Sequence, residues 1–185
     1  MTKQLIRAKY LTLILALFFS CLYSPLVVLS QVPTIDRYGI SAGFGTNFHP
    51  DTQVGMIFLA PYAAHDFGDF WRGKLEGFMG KTLVPEDRIA LGLTPMFEYA
   101  LDAFSWPNWF LEGGVGVFYT DVKVPGFGSH WVFSPQAGVG RIFKVDQKRS
   151  VTVRIRYHHL SNGYLATENT SIDSLMIMIG MDFGK

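Results

Sequence analysis

His159 and Ser161 stand two residues apart near the end of an alternating segment, and Asp173 opens the next one. In a strand every second side chain returns to the same face at about 3.3 Å per residue, so the Cα atoms of His159 and Ser161 lie roughly 6.6 Å apart. An imidazole reaches a hydroxyl across that separation. A hairpin between the two segments brings Asp173 back beside the pair. A hydroxyl nucleophile, a base for its proton and an acid that orients the base are the parts of acyl-transfer chemistry. The same residues also have a reading without chemistry: Ser161-Asn162-Gly163 is an ordinary turn sequence, and Asp173 can cap a loop. The strands that carry them decide between the two.

Length and composition bound the choice of scaffold. The chain has 185 residues, enough for one domain. Lys3, Arg7 and Lys9 followed by the apolar run Leu11 to Ser20 form an export signal, with small-residue cleavage expected after Ser30. The expected organisation is therefore a signal over residues 1–30 and one domain over 31–185. The alternatives are a retained anchor, since Leu11 to Leu29 nearly spans a bilayer, and a lipoprotein site at Cys21, whose surrounding residues fit poorly. The single cysteine, Cys21, leaves with the signal, so the mature chain has neither disulfides nor a thiol nucleophile. Its net charge, +1 before three lysines and arginines are removed, becomes slightly negative, which excludes the basic footprint of a nucleic-acid partner. Beyond the signal no apolar run is long enough for a membrane helix, yet aromatics make up 15% of the chain and Gly is abundant. That combination predicts a β-barrel of the bacterial outer membrane.

Eight alternating segments are expected: Tyr38–Phe48, Val54–Tyr62, Phe70–Val84, Arg88–Leu101, Asn108–Thr120, His130–Lys144, Ser150–His159 and Asp173–Phe183. A membrane barrel strand puts apolar side chains toward lipid and small or polar ones toward the lumen. The third, fourth and fifth segments obey this: Trp71, Leu75 and Met79 oppose Arg72, Lys74 and Glu76, for instance. The second segment has no clear polar face, and in the last Met176 and Met178 oppose an already apolar face. Pro61, Pro95 and Pro135 require bulges or unpaired positions within their strands. The fold class is all-β, an eight-stranded antiparallel transmembrane barrel, with a soluble sandwich or lipocalin-like barrel as the alternative. Aromatics at segment ends, such as Tyr62, Trp71, Tyr99, Trp109, Tyr119 and Phe183, favour the membrane. They fit lipid or a second copy of the chain equally, which leaves a homodimer open.

Parity then gives the site a direction. Val151, Val153, Ile155, Tyr157, His159 and Ser161 share one face of the seventh segment, and Thr152, Arg154, Arg156 and His158 share the other. An arginine facing lipid near the midplane costs about 2–4 kcal/mol, so Arg154 and Arg156 must face the lumen. His159 and Ser161 therefore face lipid, as does Asp173, which has the parity of Leu175, Ile177 and Ile179. With a periplasmic N-terminus the trio lies at the outer leaflet, beside the long connection from Leu160 to Ile172. Ionisable groups at such a place are functional candidates, and their substrate would be a lipid.

His159-Leu160-Ser161-Asn162, then Asn169, then Asp173-Ser174 resembles the signature of the lipid A 3-O-deacylase (PagL) family. The resemblance is specific over Arg154 to Phe183; elsewhere it consists of length, export signal and strand layout. It implies an outer-membrane esterase that needs no cofactor or metal and removes the 3-hydroxyacyl chain at position 3 of lipid A. It further implies Ser161 as nucleophile, His159 as general base and Asp173 as the acid. Asn169 would donate to the oxyanion, and Asn162 would support the site. Two positions depart from the family pattern: Asp173 replaces the more familiar Glu, with Glu168 a spare carboxylate nearby, and Tyr164 stands where a small residue is usual. The competing readings are a non-catalytic small barrel of the OmpA or OmpW kind and another outer-leaflet acyl hydrolase or transferase. A calcium-dependent phospholipase would want clustered loop carboxylates, and none is evident. The pairs His49 with Asp51 and His65 with Asp66 read as loop and turn residues.

Overall fold

The structure, a computed structural model, describes residues 34–48, 55–84, 88–121, 129–163 and 171–184. The chain divides into Met1–Thr34 and Ile35–Lys185, and the second unit is the barrel. Eight strands, β1 (Arg37–Asn47), β2 (Gly55–Asp66), β3 (Trp71–Val84), β4 (Arg88–Ala100), β5 (Trp109–Thr120), β6 (Trp131–Lys144), β7 (Arg149–Leu160) and β8 (Ile172–Gly184), follow each other around it. Each pairs antiparallel with the next, and β8 closes on β1. Closure leaves no edge with unpaired backbone groups, the condition for crossing hydrocarbon with strands. Among the described residues no helix is long and apolar enough to cross a membrane.

Arg154 and Arg156 of β7 point inward, as the cost of exposing them to lipid requires. Arg154 and Arg156 are fully buried. Arg156 donates through Nε to Glu112 at 2.7 Å, through Nη1 to Gln136 at 3.0 Å and through Nη2 to Glu76 at 3.1 Å. Lys74 joins the same network, 2.9 Å from Glu98 and 3.3 Å from Glu112. Removing one partner from a buried ionic network leaves the others uncompensated, at about 3–5 kcal/mol. Arg156→Ala, which leaves Lys74 as the nearest cation to both Glu76 and Glu112, is accordingly expected to destabilise the barrel by about 3 kcal/mol. Urea titration of the heat-modifiable folded band on a gel checks this; an unchanged midpoint would contradict it.

Toward the loop end the interior turns apolar. Met56, Phe58, Phe78, Phe118, Val132, Leu160, Met176 and Met178 form one buried cluster. This explains the missing polar face of β2 and the two-sided apolar pattern of β8: their inward side chains meet rings instead of charges. Small residues make room for those rings. A Cβ on Gly92 would come within 2.6 Å of the Phe118 ring.

The three prolines are accommodated without slippage. Ladder pairs are lost where Pro61 faces β3, where Pro95 faces β5 and where Pro135 faces β7, yet the register is the same on either side of each gap. A missing N–H thus costs local pairs but no bulge. Outside, the apolar side chains of every strand are exposed, Leu93, Phe97, Ile177 and Ile179 among them. Aromatic contacts belt both ends: Tyr38 stacks on Phe183 and Trp71 packs at a tilt on Tyr99 at one, and Tyr119 packs on Trp131 at the other. An apolar band between two aromatic belts matches a bilayer with its interfaces.

Candidate active site

The turn before β7 starts the strand that carries the site. Asp146 Oδ1 accepts from the backbone N–H groups of Lys148 and Arg149, at 2.9 and 2.8 Å, and Oδ2 accepts from Arg149 Nε at 2.7 Å. The Lys148 amide, with the Arg149 contacts, holds this exposed carboxyl below its ordinary pKa. From there β7 alternates strictly. Thr152, Arg154, Arg156 and His158 are buried, while Val153, Ile155 and Tyr157 are exposed. The two adjacent histidines are therefore separated by the wall of the barrel: His158 packs inside against Phe78 and Phe118, and His159 is outside.

The β7–β8 register places His159 directly opposite Asp173. Their side chains meet, His159 Nδ1 lying 2.6 Å from Asp173 Oδ1. A carboxylate only accepts, so the proton of that bond is on Nδ1, and Nε2 is the nitrogen left to act as a base. Both side chains are partly exposed on the outer wall, 28% for His159 and 43% for Asp173. Ser161 follows two residues along the same face. Its backbone is fixed by an isolated bridge to Phe133 of β6, with N–H to carbonyl distances of 3.0 and 2.7 Å. Gly163 closes the turn with φ +62°, and a Cβ there would press to 3.1 Å from the Phe133 ring. A left-handed backbone against a ring is a position for glycine.

The structure brings His159 and Asp173 into contact and puts Ser161 on their side of the wall. Asn162 is fully buried immediately after Ser161. Asn169, Glu168 and Tyr164 lie outside the described residues, as do His49 and Asp51. His65 and Asp66 do not form a site of their own: His65 Nδ1 lies 2.6 Å from Asp36, and Asp66 pairs with Arg37 and Arg72.

Two neighbours of the His159–Asp173 pair escape a reading by residue type. Tyr157 donates its hydroxyl to Asp173 Oδ1, the oxygen that His159 also holds. Its signal was parity, since Tyr157 shares the face of His159, but its partner sits diagonally across the hairpin and depends on register. Pro135 is the other. The β6–β7 ladder stops at Gln136 opposite His158 and resumes at Phe133 opposite Ser161, which leaves the proline facing His159.

An outward carboxylate–imidazole pair with a serine two residues along the same strand has the residue types of an orienting acid, a base and a hydroxyl nucleophile. The model of the lipid A 3-O-deacylase (PagL) family matches residues 36–182. Comparison with curated protein sequences gave no match. Among solved structures, the crystal structure of the outer membrane enzyme PagL is similar over 77% of this chain and 97% of its own, with 22% identity and a TM-score of 0.59. The crystal structure of Neisserial surface protein A is similar over 80% of this chain and 96% of its own, with 13% identity and a TM-score of 0.63. These two likenesses establish the barrel fold, which an outer membrane enzyme and a surface protein share. The family match covers all eight strands, and this outer-membrane barrel belongs to the lipid A 3-O-deacylase (PagL) family of ester hydrolases.

Proposed function

We propose that this protein hydrolyses the ester at position 3 of lipid A, releasing a 3-hydroxy fatty acid, with Ser161, His159 and Asp173 as its catalytic triad. The observation that carries this reading is the 2.6 Å contact between His159 and Asp173 on the lipid-facing wall. Packing gives no reason to hold two ionisable groups there.

In the first half-reaction His159 Nε2 takes the proton of Ser161 Oγ as the oxygen attacks the ester carbonyl. Asp173 holds the imidazole in the Nδ1–H tautomer and stabilises the imidazolium as it forms. The tetrahedral intermediate collapses with cleavage of the bond to the sugar oxygen, which receives the proton from His159. The deacylated lipid leaves, and the acyl group stays on Ser161. Water then attacks the acyl-enzyme, giving its proton to His159, and Ser161 recovers that proton as the free acid departs. Side chains and water complete every step. Asn169 is assigned to the oxyanion through its place in the motif, a role worth about 2.7–4 kcal/mol of barrier in such enzymes. Asn162 supports the turn from beneath. Residues 1–30 serve as the export signal, and the loop end of the barrel, with the triad, faces the outer leaflet.

The test is to incubate the purified barrel in detergent micelles with lipid A or, separately, a diacyl phospholipid, and identify the acids released. Release of a 3-hydroxy fatty acid from lipid A alone is expected. Acid from the phospholipid alone would overturn the substrate assignment, and none from either would overturn the function.

A further inference from the structure

Two donors on one strand converge on a single oxygen of the other. Tyr157 and His159 are both outward residues of β7, and both hydrogen-bond Oδ1 of Asp173 on β8. His159 is directly opposite Asp173, whereas Tyr157 is opposite Leu175, two residues farther from the loop end. The tyrosine therefore reaches the carboxylate diagonally, a separation of about 7–8 Å between Cα atoms that an aromatic side chain spans.

We propose that Tyr157 is a positioning residue of the ester hydrolysis, holding the Asp173 carboxylate in line with His159 Nδ1. This rests on the triad assigned above. An aspartate carboxylate turns about two side-chain torsions, and a bond to one histidine leaves part of that motion. A second donor removes that freedom. Because both donors belong to β7, their spacing is set by a strand, and the oxygen they share is fixed relative to the imidazole it must orient. The phenol keeps its proton throughout. It spreads the carboxylate charge without neutralising it, and so preserves the anion that stabilises the imidazolium. Asp is also one methylene shorter than the acid usual in this motif, so its reach depends more on being held.

The experiment measures kcat and KM for lipid A in mixed micelles with the wild type, Tyr157→Phe, Asp173→Ala, the double variant and Ser161→Ala. Heat-modifiable migration confirms that each barrel is folded. Tyr157→Phe is expected to lower kcat about tenfold with KM unchanged, the scale of a lost hydrogen bond to a charged group. In the Asp173→Ala background the same change should have no further effect, because the tyrosine then has no carboxylate to hold. An unchanged kcat in Tyr157→Phe would overturn the proposal. So would an equal loss in the Asp173→Ala background, which would mean the hydroxyl acts through the barrel or the membrane. Full activity in Ser161→Ala would instead overturn the triad itself. A neutral tyrosine change beside an inactive serine variant would remove only Tyr157 from the mechanism.

Discussion

Ser161→Ala is expected to abolish deacylation, with kcat falling on the order of 10⁵-fold while the barrel remains folded. The loss is large because a triad acts as a unit. What survives is the rate that substrate binding and oxyanion stabilisation give to water alone. The fold should be indifferent. Ser161 holds β6 through its backbone N–H and carbonyl, which bridge to Phe133 and are the same in alanine. Mass spectrometry of lipid A from cells expressing each form checks this: the wild type removes one 3-hydroxyacyl chain and the variant removes none. Equal removal by both would mean that another nucleophile is at work.

His159→Asn is expected to lose activity on a similar scale, again on the order of 10⁵-fold, for a different reason. An asparagine side chain can still donate to Asp173, so the contact across the hairpin has a replacement, but it offers no nitrogen that can take and return a proton. Ser161 would then face the ester as an unactivated hydroxyl. His158 cannot substitute, since it is buried inside the barrel between Phe78 and Phe118. Kinetics on the purified variant should show the loss in kcat, and a loss confined to KM would contradict a role as base.

Much of this was legible in the sequence, where one physical constraint dominated each element. β3, β4 and β5 show their faces because charged or small residues line the lumen over most of their length. Arg154 and Arg156 orient β7 because the penalty for exposing them to lipid is larger than any competing preference. The orientation of His159 and Ser161 then follows from a period of two. Asp173 follows from the hairpin, whose register places it opposite His159. Other features were obscured where two constraints overlap. β2 and β8 pass through the apolar cluster at the loop end, so both faces read as apolar until Phe58, Met176 and Met178 are seen to fill one interior. The end of β2 was set four residues too early, at Tyr62. Ala63 to Asp66 carry little strand propensity, and they are held by pairing with β3 and by the ion pairs of Asp66 with Arg37 and Arg72. For Tyr157 the sequence shows only its outward parity. Its contact with Asp173 depends on a diagonal across two strands, which no single segment encodes.

The most direct test of the central claim is to treat the folded barrel in micelles with an alkyl phosphonate ester that traps activated serines, then locate the adduct by peptide mass spectrometry. The account predicts one adduct, on the peptide that contains Ser161, formed by the wild type and absent from Ser161→Ala and His159→Asn. An adduct on another residue, or an unmodified Ser161 in a barrel that has lost its activity, would contradict the placement of the catalytic site on the lipid-facing wall of β7.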